Sequence, residues 1–104
     1  LILAVEAQEG TDRMLARVAD LPVEIRGTPE ARRGVLVKRP KPQQERRIDL
    51  PTIGVTTVQG AAKAGLAGIA VEAGAALVVD RDNVANAANE LGIFIYGFTA
   101  AEVA

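Results

Sequence analysis

Short runs of small aliphatic residues alternate along this chain with segments whose apolar residues recur at helical spacing, and that alternation admits few folds. Residues 1–7, 34–38, 68–72 and 93–96 read as strands. Met14, Leu15, Val18 and Leu21 space out a helix over residues 12–20, which Pro22 ends. Val58, Ala61, Ala62 and Leu66 give the inner face of a second helix, capped at Thr56 and Thr57 and stopped at Gly65. Val84, Ala85, Ala88 and Leu91 mark a third over residues 80–91, and Gly92 ends it. Residues 22–34 are irregular, punctuated by Gly27, Pro29 and Gly34. Gly74 and Ala75 are expected to turn the strand at 68–72 back into a partner at 76–79, which makes one antiparallel pair. The expected fold class is α/β: a layered domain with a mixed, mostly parallel sheet of about five strands and three helices.

The chain has 104 residues, the size of one domain. Aromatics make up only 3% of it, so the core must be built from Ala, Val, Leu and Ile. It has no cysteine, which excludes disulfides and thiolate metal sites, and no histidine, which excludes the His-dependent catalytic triads. Acid–base or metal chemistry then falls to carboxylates, lysine or water, and carboxylates suit hard cations such as Mg²⁺ better than zinc. No apolar run is long enough to cross a bilayer. The chain opens in a strand-like run without Met, and we expect it to be the C-terminal part of a longer protein.

Net charge is −1 but unevenly spread. Residues 24–49 hold eight basic groups against four acids, a local anion trap within a loop-rich stretch. Residues 38–54, which overlap its end, are broken by Pro40, Pro42 and Pro51 and suit neither helix nor central strand. Lys38, Lys41, Arg46 and Arg47 are candidate phosphate clamps there, since guanidinium forks match phosphate oxygens and lysine adds a point charge. Gln43 and Gln44 can donate to sugar hydroxyls or phosphate. Nucleic acid is disfavoured, because the chain is acidic overall and has too few aromatics for a stacking platform.

Five carboxylates stand at strand ends or beside glycine: Glu6, Glu9, Asp12, Asp49 and Glu72. Glu9 also fits a turn, and Asp12 also fits a first helical turn, where an acid stabilises the dipole. Glu6 and Glu72 each end an apolar run, so they can point into one crevice at the carboxyl ends of the strands or pair structurally with arginine. Asp49 follows Arg46-Arg47 and precedes Leu50-Pro51, so its backbone is partly fixed and two cations favour its ionised form. Such a carboxylate can ligate Mg²⁺ or orient water beside bound phosphates. It can equally form a surface salt bridge.

Three blocks in order resemble a known family. They are Ala4-Val5-Glu6 leading to Glu9-Gly10-Thr11-Asp12; Lys38 to Pro42 with Gln44, Arg47, Asp49, Pro51 and Gly54; and Gly65 to Gly74. Together they resemble the C-terminal domain of the LpxI-type UDP-2,3-diacylglucosamine pyrophosphatases of Gram-negative bacteria. The resemblance implies hydrolysis of UDP-2,3-diacylglucosamine to UMP and 2,3-diacylglucosamine 1-phosphate (lipid X), a step of lipid A synthesis at the cytoplasmic face of the inner membrane. It implies a divalent cation such as Mg²⁺, and a Rossmann-like N-terminal domain in the same chain with substrate between the two. Asp49 would take the central role as metal ligand or water-orienting base, with Glu6 and Asp12 as further metal candidates. Lys38, Lys41 and Arg47 would neutralise phosphate, Gln44 would hydrogen-bond substrate, and Thr52 and Glu72 would line it. Glu45 stands where Asp is expected after the glutamine, and we give it no ligand role. A homodimer and peripheral membrane contact are compatible with the sequence. The rival reading is a non-catalytic module that recognises a phosphorylated sugar or nucleotide with the same cations.

Overall fold

In the computed structural model the described residues are 1–40, 51–74 and 76–103. A three-stranded parallel sheet organises them, built from β1 (Val35–Lys38), β3 (Gly68–Glu72) and β5 (Phe94–Phe98) in the spatial order β1-β3-β5. Helix α2 (Val55–Lys63) connects the first pair and α3 (Arg81–Leu91) the second, so each crossover is a βαβ unit. α2 lies between α3 and α1 (Thr11–Ala19), and the three helices form one layer. Two short strands, β2 (Thr52–Ile53) and β4 (Leu77–Val78), pair with each other, and a single turn, α4 (Ala100–Val103), follows β5. This is the α/β layered architecture expected, with five strands and three principal helices among the described residues.

The core lies between helices and sheet and is aliphatic, as the shortage of aromatics requires. Leu15, Ile53, Val58, Ile69 and Val84 are its most deeply buried large side chains. α1 contributes Met14, Leu15 and Val18, and α2 contributes Thr57, Val58, Ala61 and Ala62. Gly60 lets these two helices close on each other, since a Cβ there would sit 3.1 Å from Leu15 Cδ1. Along the strands, Leu36, Ile69 and Val71 face the helices. Val35, Val37, Phe94 and Tyr96 alternate with them on the other face and remain 44–58% exposed.

α2 stops at Gly65, whose φ of +77° favours glycine. The N–H groups of Gly65 and Leu66 donate back to the carbonyls of Ala62 and Ala61, both at 3.0 Å. Gly65 also lies directly against Gly27, so the irregular 22–34 segment wraps the end of α2. Arg32 Nη1 holds that wrap, donating to the carbonyls of Ala62 (3.1 Å) and Leu66 (3.3 Å).

Two expectations fail. Residues 1–7 form no strand. Arg17 Nη2 donates to the carbonyl of Val5 (3.3 Å) while the guanidinium holds Glu9, so the segment is drawn onto α1 instead of joining the β1 ladder. β1 ends the sheet order and keeps one edge unpaired among the described residues, so the contacts to Arg17, and not the want of an edge, account for the missing strand. The antiparallel partner to β3 does not form either. β3 already has β1 on one edge and β5 on the other, which leaves no edge for a hairpin. β4 pairs in parallel with β2, in the register Thr52↔Leu77 and Ile53↔Val78.

Candidate active site

β1 ends at Lys38, and β2 begins at Thr52, after Pro51; the basic segment at 41–50 between them lies outside the described residues. The Lys38 side chain continues the inward side of Leu36 and meets the start of α1. Its Nζ donates to Thr11 Oγ1 (3.0 Å) and to the carbonyl of Thr52 (2.9 Å). One ammonium therefore ties together the end of β1, the start of β2 and the N-terminus of α1. Thr11 Oγ1 in turn donates to Glu6 Oε1 at 2.6 Å, the short distance of a charge-assisted bond. The result is a continuous chain: Glu6 carboxylate, Thr11 hydroxyl, Lys38 ammonium, Thr52 carbonyl.

α1 begins in a way that frees Thr11 for this. Gly10, at φ +89°, is the N-cap and makes no side-chain cap bond, so the hydroxyl of Thr11 turns toward Glu6 and Lys38. Asp12 is exposed in the same first turn, where it favours the helix dipole. Glu9 acts as the turn residue its position suggested: both of its oxygens accept from Arg17 at 2.7 Å. That bonding holds its carboxyl below the usual value and raises the Arg17 guanidinium.

Glu72 lies in a different network. It ends β3 on the side of Gly68 and Ala70, and its Oε1 pairs with Arg39 Nε at 3.1 Å. The Arg39 guanidinium also sits over the Phe98 ring, 5.6 Å from its centroid. Lys38 and Arg39 are successive residues at a strand end, so they point to opposite sides and hold Glu6 and Glu72 apart. Of the two open alternatives for Glu72, the arginine partner is what is found. At the entry to α2, the Gly54 N–H donates to Thr57 Oγ1 (3.2 Å), so the cap sits two residues earlier than Thr56.

The structure thus gathers Glu6, Lys38 and Thr52, sets Asp12 beside Thr11 in sequence, and places Glu72 with Arg39. Lys41, Gln44, Arg47 and Asp49 lie outside the described residues. Among the described residues, no three of His, Cys, Asp and Glu group to hold a metal. Thr11 and Arg39 are the residues whose roles sequence reasoning missed. Two adjacent cations at a strand end were the available signal for Arg39. Nothing local distinguishes Thr11 from an ordinary helix cap.

Beside the chain of polar groups, an apolar groove of about 380 Å³ opens between residues 1–4, Met14 and Val18 of α1, and β1. It reaches Val37, one residue from Lys38. No helix among the described residues is long and apolar enough to cross a membrane.

Comparison with known proteins fits this arrangement. The family model of the LpxI C-terminal domain matches residues 1–96. The UDP-2,3-diacylglucosamine pyrophosphatase LpxI of Caulobacter vibrioides is 67% identical over 97 residues, which cover 93% of this chain. The chain spans about a third (35%) of that relative's length. A match over nearly the whole chain, by family model and by relative alike, means that this chain belongs to the LpxI C-terminal domain family.

Proposed function

We propose that this domain is the catalytic part of an enzyme that hydrolyses the pyrophosphate of UDP-2,3-diacylglucosamine, releasing UMP and 2,3-diacylglucosamine 1-phosphate in lipid A synthesis. The observation that carries the reading is the Lys38 ammonium, clasped between Thr11 and Thr52 where β1 ends and β2 begins. Pyrophosphate hydrolysis is largely positioning and charge neutralisation, and it needs fixed cations beside the phosphoryl oxygens. The similarity to a relative named for this activity supports the substrate.

Within this reading Lys38, Lys41 and Arg47 bind phosphoryl oxygens, Gln44 and Thr52 hydrogen-bond the substrate, and Glu72 with Arg39 borders it on the far side. Asp49 accepts the proton of the attacking water or orients that water. The donor set of Asp49, Glu6 and Asp12 is all carboxylate oxygen, which fits Mg²⁺ and not a soft metal. Those three would hold the ion, which when bound supplies positive charge to the phosphoryl group. The groove beside Val37 offers apolar lining for an acyl chain. A preceding N-terminal domain closes the other side of the substrate, and the protein works at the cytoplasmic face of the inner membrane, as a peripheral protein.

The test is UMP release from UDP-2,3-diacylglucosamine by the full-length protein. Activity should vanish with EDTA and return with added Mg²⁺. Undiminished release after rigorous chelation removes the metal from the reading. No release under any metal condition removes the hydrolase itself.

A further inference from the structure

The Thr11 hydroxyl has one proton and accepting lone pairs, and both kinds of capacity are used. The proton goes to Glu6 Oε1 at 2.6 Å, which leaves the lone pairs directed at the Lys38 ammonium at 3.0 Å. A carboxylate behind the hydroxyl polarises it and makes it a better acceptor for a cation. Nothing about the helix demands this, since Gly10 occupies the N-cap and α1 starts without a hydroxyl cap. The side chain is outside the hydrophobic core cluster, so removing the hydroxyl opens no cavity there. What it does control is the direction of Lys38. That flexible four-carbon side chain is otherwise held, among the described residues, only by the Thr52 carbonyl.

We propose that Thr11 is a positioning residue: backed by Glu6, its hydroxyl holds the Lys38 ammonium where β1 ends and β2 begins. The consequence for turnover rests on the pyrophosphatase reading. The placement of Lys38 does not. Two acceptors fix the ammonium on lines set by α1 and by residue 52, so its remaining N–H points in one direction. With Thr11 silenced the amine swings about a single tether.

The experiment uses the full-length protein with Thr11→Val, which keeps the shape and loses the hydroxyl, and Thr11→Ser, which keeps the hydroxyl. Thr11→Ala replaces the Val variant if that fails to fold. A brief pulse of acetic anhydride, read at the Lys38 peptide by mass spectrometry, reports how freely the amine moves and needs no substrate. Labelling should quicken several-fold in Thr11→Val and stay near wild type in Thr11→Ser. In the UMP-release assay kcat/KM should fall about 10- to 100-fold in Thr11→Val, the scale of one hydrogen bond to a charged group, with Ser restoring most of it. Thermal midpoints should match wild type. Equal Lys38 labelling in all three proteins overturns the proposal, and so does a Ser variant as impaired as Val. Faster labelling with unchanged kcat/KM overturns the role in turnover. If the wild type releases no UMP, the hydrolase reading fails, and the labelling alone decides the placement.

Discussion

Gly65→Ala is expected to destabilise the domain by about 3 kcal/mol, the upper range for single substitutions. Two effects add. The backbone at residue 65 sits at φ +77°, where a side chain is strained, at a cost of about 1 kcal/mol. The new Cβ would also run into the backbone of Gly27, and backbone cannot swing aside as a side chain can. Relief would push the 22–34 wrap off the end of α2, breaking the bond from the Arg33 N–H to the Gly65 carbonyl (2.9 Å) and those from Arg32. For a domain of this size the unfolding midpoint should fall by roughly 12–24 °C. Gly92→Ala is the control: φ there is +71°, yet nothing lies within 4 Å of the added Cβ. It should lose only the conformational part, about 1 kcal/mol. Calorimetry on the two variants separates the close approach from the dihedral, and equal losses would refute the contact with Gly27.

Asp49→Ala should lower turnover by ~10³-fold or more, within or beyond the usual span for losing an acid–base group, while folding and substrate binding persist. The chain has no histidine or cysteine, so in the proposed reaction this work falls to carboxylates, lysine or water, and Asp49 is the carboxylate the proposal assigns to it. Asp49 follows Arg46-Arg47 in the sequence and lies outside the described residues. Three residues on, the backbone is anchored where the Thr52 carbonyl accepts from Lys38, and Pro51 restricts the step between. The substitution removes a charge, while Thr52, three residues on, stays held by Lys38, so stability should change little. Substrate affinity, measured by calorimetry with the inactive variant, should stay within about tenfold of wild type. Turnover like wild type would remove Asp49 from the mechanism. A loss matched by unfolding would make its role structural.

The helices could be read directly from the chain. Met14, Leu15 and Val18, then Val58, Ala61 and Ala62, then Val84 and Ala88 keep their inner faces, because helical periodicity is a local property. The stops at Gly65 and Gly92 were equally visible, since a left-handed backbone favours glycine. Strand partners were not. Residues 1–7 are as apolar as β3, yet Arg17 captures Val5 and Glu9, and the segment lies on α1. Residues 77–78 find β2 and not β3, because both edges of β3 are taken.

The site divides along the same line. The sequence by itself determined which chemistry was available: cations and glutamines in a proline-broken loop, carboxylates at the ends of apolar runs, no imidazole and no thiol. Residue type carries that information, and no fold alters it. Only the tertiary structure decided the partnerships. It set the Thr11 hydroxyl between Glu6 and Lys38, 27 residues apart from the lysine in the chain, and gave Glu72 to Arg39 across 33 residues. Hydrogen bonds over such separations depend on which strand ends and helix starts the packed core brings together, and no local pattern encodes that.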